Sequence, residues 1–141
     1  MIKPQGTQRA QGNKRTEQES LFKQITLRIL EAAIEVHRVI GPGFLEQIYE
    51  EALAHEFELR GIKYERQKQI SVTYKDIIAG EHRLDFLVEG EVVVELKAVK
   101  ELDDVHMAQT MSYLKATNKR VGLLINFAKP RLIDGVKRIQ I

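Results

Sequence analysis

The chain has 141 residues, with 43% hydrophobic and 30% charged residues and no cysteine. That length suits one domain with a real core, and the composition is that of a soluble globular protein. Without cysteine there are no disulfides and no thiolate metal sites, so zinc-finger chemistry is excluded. No run approaches the roughly 18 apolar residues of a membrane helix, and the polar N-terminus lacks the apolar stretch of a secretory signal. Cytoplasm is therefore the expected compartment. The net charge of +2 hides an asymmetry, because four of the 22 basic residues (Lys3, Arg9, Lys14 and Arg15) precede the first acidic one, Glu17. The remainder carries 18 basic against 20 acidic residues and is no bulk nucleic-acid binder.

Residues 1–16 are polar and aperiodic, which predicts a disordered basic tail ahead of one domain over residues 17–141. From Glu19 to about Val39 the apolar residues Leu21, Phe22, Ile25, Ile29, Ala32, Ala33 and Val36 recur at helical spacing. Gly41-Pro42-Gly43 breaks that helix. A second helix is predicted from Leu45 to about Arg60, with Ile48, Tyr49, Ala52, Leu53 and Phe57 inward and Gly61 just past its end. Glu46 sits in its first turn, where the macrodipole favours a carboxylate. His37 is either a ligand or substrate contact, or a helix histidine satisfied by a carbonyl.

A strand is predicted from Lys68 to Lys75, followed by a loop around Asp76–Gly80. The next segment, residues 83–97, reads as two strands about a turn at Glu89-Gly90-Glu91. Alternation with period two puts Glu95 and Lys97 on one face. Antiparallel pairing brings Asp85 to the same place. Two carboxylates and an ammonium then converge in an apolar sheet, which is costly unless they are paired or bound to metal. Such a pair is a hard-oxygen site for Mg²⁺ or Mn²⁺. A lysine beside it can hold a water and steady charge on a phosphate. The alternative is a solvated hairpin salt bridge of little worth.

Asp103 and Asp104 cap a helix running to about Ala116. His106, Gln109 and Tyr113 fall on one polar face of it, opposite Met107, Met111 and Leu114. That face is either simply wet or positions a nucleic-acid backbone and the lysine. Val121 to Phe127 is nearly all apolar, as a strand buried on both faces and parallel to the hairpin's second strand should be. A last edge strand runs from Val136 to Ile141.

Asp85 followed by Glu95-Leu96-Lys97 resembles the signature of the PD-(D/E)XK nuclease superfamily. Gly43-Phe44-Leu45-Glu46-Gln47-Ile48-Tyr49 resembles the motif that names the GxxExxY proteins, a branch of it. Gln109-Thr110-Met111-Ser112-Tyr113 resembles the QxxxY motif of RecB-like nucleases. The resemblance implies an α/β fold with a restriction-endonuclease-like αβββαβ core, a mixed central sheet flanked by helices. It implies a hydrolase, a Mg²⁺- or Mn²⁺-dependent nuclease acting on DNA. Asp85, Glu95 and Lys97 would be catalytic; Glu46, Asp85, Glu95 and the Leu96 carbonyl would hold the metal. Gln109 and Tyr113 would hold the substrate, with His37 and His106 as additional candidates. The rival is a catalytically silent module of the same fold that binds nucleic acid or protein as an accessory subunit. The final edge strand offers a route to a homodimer.

Overall fold

The computed structural model describes the backbone of residues 2–141 and the side chains of residues 14–141. The first helix, α1, spans Ile2–Ile40. The expected disordered tail falls mostly on residues 1–13, outside the fully described residues, and at Lys14, Arg15 and Thr16 the chain is helical. Phe22, Ile25, Ile29, Ala32, Ala33 and Val36 form the buried stripe of α1, the pattern of an amphipathic helix on a core. Leu21 instead faces solvent. The helix stops at Gly41, which adopts a φ of +72° that a side chain would resist. Helix α2, Glu46–Leu59, follows with Leu45 at its N-cap and no side-chain cap. The Tyr49 hydroxyl stabilises the break instead, donating to the Gly41 carbonyl at 2.7 Å and accepting from the Phe44 N–H at 3.2 Å. Tyr49, Leu53 and Phe57 are buried as expected, whereas Ile48 is exposed.

Three strands follow: β1 (Tyr64–Tyr74), β2 (Ile77–Val88) and β3 (Val92–Lys97). Helix α3 spans Asp104–Thr117, then come β4 (Val121–Asn126), a 3-10 turn at Leu132–Gly135 and β5 (Val136–Gln140). The sheet order is β1-β2-β3-β4-β5, with β3 and β4 parallel and the other neighbours antiparallel. This is the mixed α/β architecture the sequence implied.

Two boundaries move. Strand β1 begins at Tyr64 rather than Lys68, because Arg66 is anchored to α2 by 2.8 Å bonds to both Glu50 and Glu51. The expected loop around Asp76–Gly80 is mostly strand. Tyr74 pairs with Ile77 across a turn in which Lys75 takes a φ of +51°, and the hairpin continues through an irregularity between Val72 and Thr73.

The sheet separates two cores. Helices α1 and α2 pack with Phe86, Val88, Val92, Val94, Leu96, Val121, Leu123 and Ile125. The α3 side is thinner, with Leu84, Leu87, Val93, Leu124 and Leu114 buried and Met107, Met111 and Tyr113 partly so. Gly122 lets α3 come close, since a Cβ there would lie 3.2 Å from the Thr110 methyl. Among the described residues no helix is long and apolar enough to cross a membrane.

Candidate functional site

The β2–β3 ladder ends at the pair Phe86–Val94. Beyond it the strands fork, and backbone groups that a ladder would have joined need other partners. The two carboxylates supply them. The Leu96 N–H donates to Asp85 Oδ2 at 2.8 Å, and the Asp85 N–H approaches Glu95 Oε2 at 3.4 Å. Asp85 and Glu95 thus face each other across the fork.

They line one cavity of about 130 Å³ together with Glu46, His82, Arg83, Lys97, Gln109, Thr110 and Tyr113. The sheet supplies the acids and the lysine, the first turn of α2 brings Glu46, and α3 brings Gln109 and Tyr113. Six residues singled out in the sequence therefore share one small space. Two do not line it. Nε2 of His37 is 2.8 Å from the Lys129 carbonyl, where it donates, so this ring ties α1 to the segment after β4. His106 forms a capping box, its Nδ1 accepting from the Asp103 N–H while its own N–H donates to Asp103 Oδ1, both at 3.1 Å.

Three carboxyl groups, Glu46, Asp85 and Glu95, crowd the cavity. Glu95 is 6% exposed and its Oε1 has no hydrogen-bond partner among the described residues. Burial, and then the neighbouring Asp85, push its carboxyl up to about 9. Burial also raises Glu46, with Asp85 adding to it and Lys97 opposing it. Tyr113 is raised by burial and by the Glu95 and Asp85 charges. Lys97 enters no ion pair among the described residues, so the solvated salt bridge weighed above is not formed.

An acid pair whose buried Glu95 carboxyl keeps one oxygen without a hydrogen-bond partner among the described residues has the donor chemistry of a hard divalent cation once deprotonated. Among the described residues, no group of three or more His, Asp or Glu side chains is close enough together to hold an ion. Glu46 is thus a neighbour of the Asp85–Glu95 pair rather than a converged third ligand.

His82 is the residue the sequence did not reveal. Strict alternation along 83–97 places it away from Asp85, on the side of Phe86. The alternation breaks at Gln67, whose φ of +52° interrupts the ladder opposite Asp85: Arg66 pairs with Phe86 and Lys68 with Leu84, with no pair between. Leu84 and Leu87 consequently both pack toward α3. His82 follows Leu84 onto that side, stacking on Tyr113 at 3.9 Å between centroids and an interplanar angle of 13°. Nothing in residue type or spacing marks that switch. Asn126, also unforeseen, is fully buried behind the site. Its amide accepts from the Val99 N–H at 3.0 Å and donates to the Val99 carbonyl at 2.7 Å, clamping the exit of β3 just beyond Lys97.

No curated protein and no solved structure matches the chain. A family model described as the PD-(D/E)XK nuclease superfamily matches residues 23–139. That match spans the acid–acid–lysine fork and the helices on both sides of it. Fold, fork and match agree, and the chain belongs to the PD-(D/E)XK nuclease superfamily.

Proposed function

We propose that this protein is a divalent-metal-dependent nuclease that hydrolyses phosphodiester bonds in DNA. The observation that carries the reading is the orphaned, buried Oε1 of Glu95 beside Asp85, in a cavity shared with an unpaired lysine. Asp85 and Glu95 would hold Mg²⁺ or Mn²⁺, with Glu46 as a flanking carboxylate. The Leu96 carbonyl is a further oxygen donor: its N–H points into the fork at Asp85, and the N–H and C=O of one strand residue face the same neighbouring strand. The bound cation would supply Lewis acidity toward water and neutralise phosphate charge.

The chain's own groups do the rest. Lys97, free of a carboxylate partner, donates to an attacking water or a phosphate oxygen and stabilises the charge that develops there. Gln109 and Tyr113 offer an amide and a phenol from α3 to the substrate backbone. Asn126 holds the end of β3, and so the backbone that carries Lys97. The Gly43–Tyr49 segment acts chiefly as architecture, since Tyr49 is fully buried and stacked on Phe127 at 4.5 Å, while Glu46 alone of that segment lines the cavity.

The test is cleavage of labelled single- and double-stranded oligonucleotides with Mg²⁺ or Mn²⁺. Lys97→Ala and Glu95→Ala should each lower the rate by about 10²-fold or more, with the circular dichroism of the fold unchanged. Full cleavage by either variant would refute the assignment. A wild type that binds the oligonucleotide and cuts none would favour the silent binding module.

A further inference from the structure

Among the described residues, four non-glycines take a positive φ. Lys75 and Glu89 do so in the hairpin turns and Asn118 at the C-cap of α3, where such backbone is ordinary. Gln67, at +52°, does so inside strand β1. A side chain is strained in that region and stays there only where its surroundings hold it. Between the pairs Arg66–Phe86 and Lys68–Leu84, the residue opposite Gln67 is Asp85.

The strained residue turns the strand over. Two steps along a regular strand return to the same face. Yet Arg66 reaches α2, while Lys68 lines a cavity with Ile70, Leu84 and Thr117 on the α3 side. The direction in which Asp85 leaves β2 is therefore set opposite Gln67. One side chain holds this turnover. Glu50 accepts from Gln67 Nε2 at 2.7 Å through Oε1 and from Arg66 Nε at 2.8 Å through Oε2. Both oxygens of a carboxylate only 12% exposed thus engage consecutive residues of β1. Glu50 lies one turn after Glu46 on the same side of α2, and Glu46, Glu50, Arg66, Gln67 and Asp85 line one cleft. Glu51 differs, being 70% exposed and bonded to Arg66 without a tie to Gln67.

We infer that Glu50 is a positioning residue. Through Gln67 and Arg66 it locks the turnover of β1 to α2, and so fixes Asp85 relative to Glu46. The inference rests on the nuclease reading above and adds a residue outside the cavity lined by Glu95 and Lys97. Its place is behind the acids, not among them.

The test is steady-state cleavage of a labelled oligonucleotide with Mn²⁺ by the full chain, with calorimetric Mn²⁺ affinity and thermal unfolding measured on the same proteins. Glu50→Ala removes the acceptor of both bonds and leaves Arg66 its Glu51 partner. It should lower kcat by about tenfold or more with KM within a few-fold of wild type, and weaken Mn²⁺ binding by about tenfold. Gln67→Gly relieves the backbone strain and cuts the tie to Glu50. It should unfold close to the wild-type temperature and still lose kcat, and it covers the case in which Glu50→Ala fails to fold. Glu51→Ala removes an equally short bond to Arg66 and should keep kcat and Mn²⁺ affinity within a few-fold. Wild-type kcat and Mn²⁺ affinity in either folded variant, Glu50→Ala or Gln67→Gly, would overturn the inference. Equal losses in Glu51→Ala would also overturn it, since the ion pairs would then merely join α2 to β1. If the wild type binds Mn²⁺ without cutting, the affinities alone decide. If Glu95→Ala abolishes cleavage while the Glu50 and Gln67 variants keep it, only the role of Glu50 falls; if the wild type neither cuts nor binds Mn²⁺, both readings fall.

Discussion

The two faces of β3 are built for opposite purposes. Val92, Val94 and Leu96 pack into the core under α1 and α2, beside Phe57, Phe86 and Phe127, all fully buried. One residue over, Val93, Glu95 and Lys97 point toward α3, where the apolar layer is thin and gives way to the cavity. Period-two alternation lets one six-residue strand serve both. The closed face secures the fold, so the open face can keep an acid pair that is unfavourable by itself. Stability and the candidate chemistry are thus separated by the thickness of a sheet, and substitutions on the two sides should behave differently.

The largest stability effect belongs to the closed face. Phe57 meets Phe86 edge-on at 5.3 Å and Tyr64 at 5.5 Å. Phe57→Ala should cost about 3–5 kcal/mol in urea unfolding, while activity per folded molecule stays near wild type. Equal loss of activity and of stability would break the proposed separation.

On the open face the sign reverses. Burial, and then the neighbouring Asp85, push the folded Glu95 carboxyl up to about 9 against an ordinary 4.5, so the folded state holds its proton more tightly across that window. The stability this proton contributes is complete below the unfolded value and drains away as the pH rises toward the folded one. Without added metal, Glu95→Gln should therefore be more stable than wild type at pH 8 and lose the dependence due to this group. The limit for one such group is about 1.4 kcal/mol per pH unit. The variant should be inactive throughout. Thermal unfolding from pH 5 to 9 measures the difference, and parallel curves for the two proteins would contradict it.

A smaller effect sharpens the boundary between the faces. Asn126→Ala strips the Val99 N–H and carbonyl of their partner, at a cost of about 1–3 kcal/mol. Because the clamp lies just past Lys97, this variant should lose cleavage beyond its loss of stability. Activity per folded molecule equal to wild type would make Asn126 structural only.

How far the sequence could be read follows the same division. The closed face was legible because burial leaves periodic traces: the stripe of α1, the hairpin about Glu89-Gly90, the unbroken apolar run of β4. The acid–acid–lysine fork was legible because carboxylates alternating with valine and leucine stand out. What escaped depended on backbone conformation and partners distant in sequence. Gln67 in a left-handed conformation turned His82 into the cavity. Arg66 lengthened β1 by reaching α2. His106, on the polar stripe of α3, was drawn into capping by Asp103. None of these has a pattern in residue type alone.

The most direct test of the central claim, that the open face holds an acid pair awaiting a cation, is proton release on Mn²⁺ binding, measured by calorimetry in buffers of different ionisation enthalpy. Burial and Asp85 hold the Glu95 proton well above the usual carboxylate range, and that proton must leave for Glu95 to become a ligand. Wild type should bind Mn²⁺ at pH 7 with release of protons, the release should diminish as the pH rises into the alkaline range, and Glu95→Gln should neither bind nor release. Mn²⁺ binding without proton release, unaffected by Glu95→Gln, would contradict that claim.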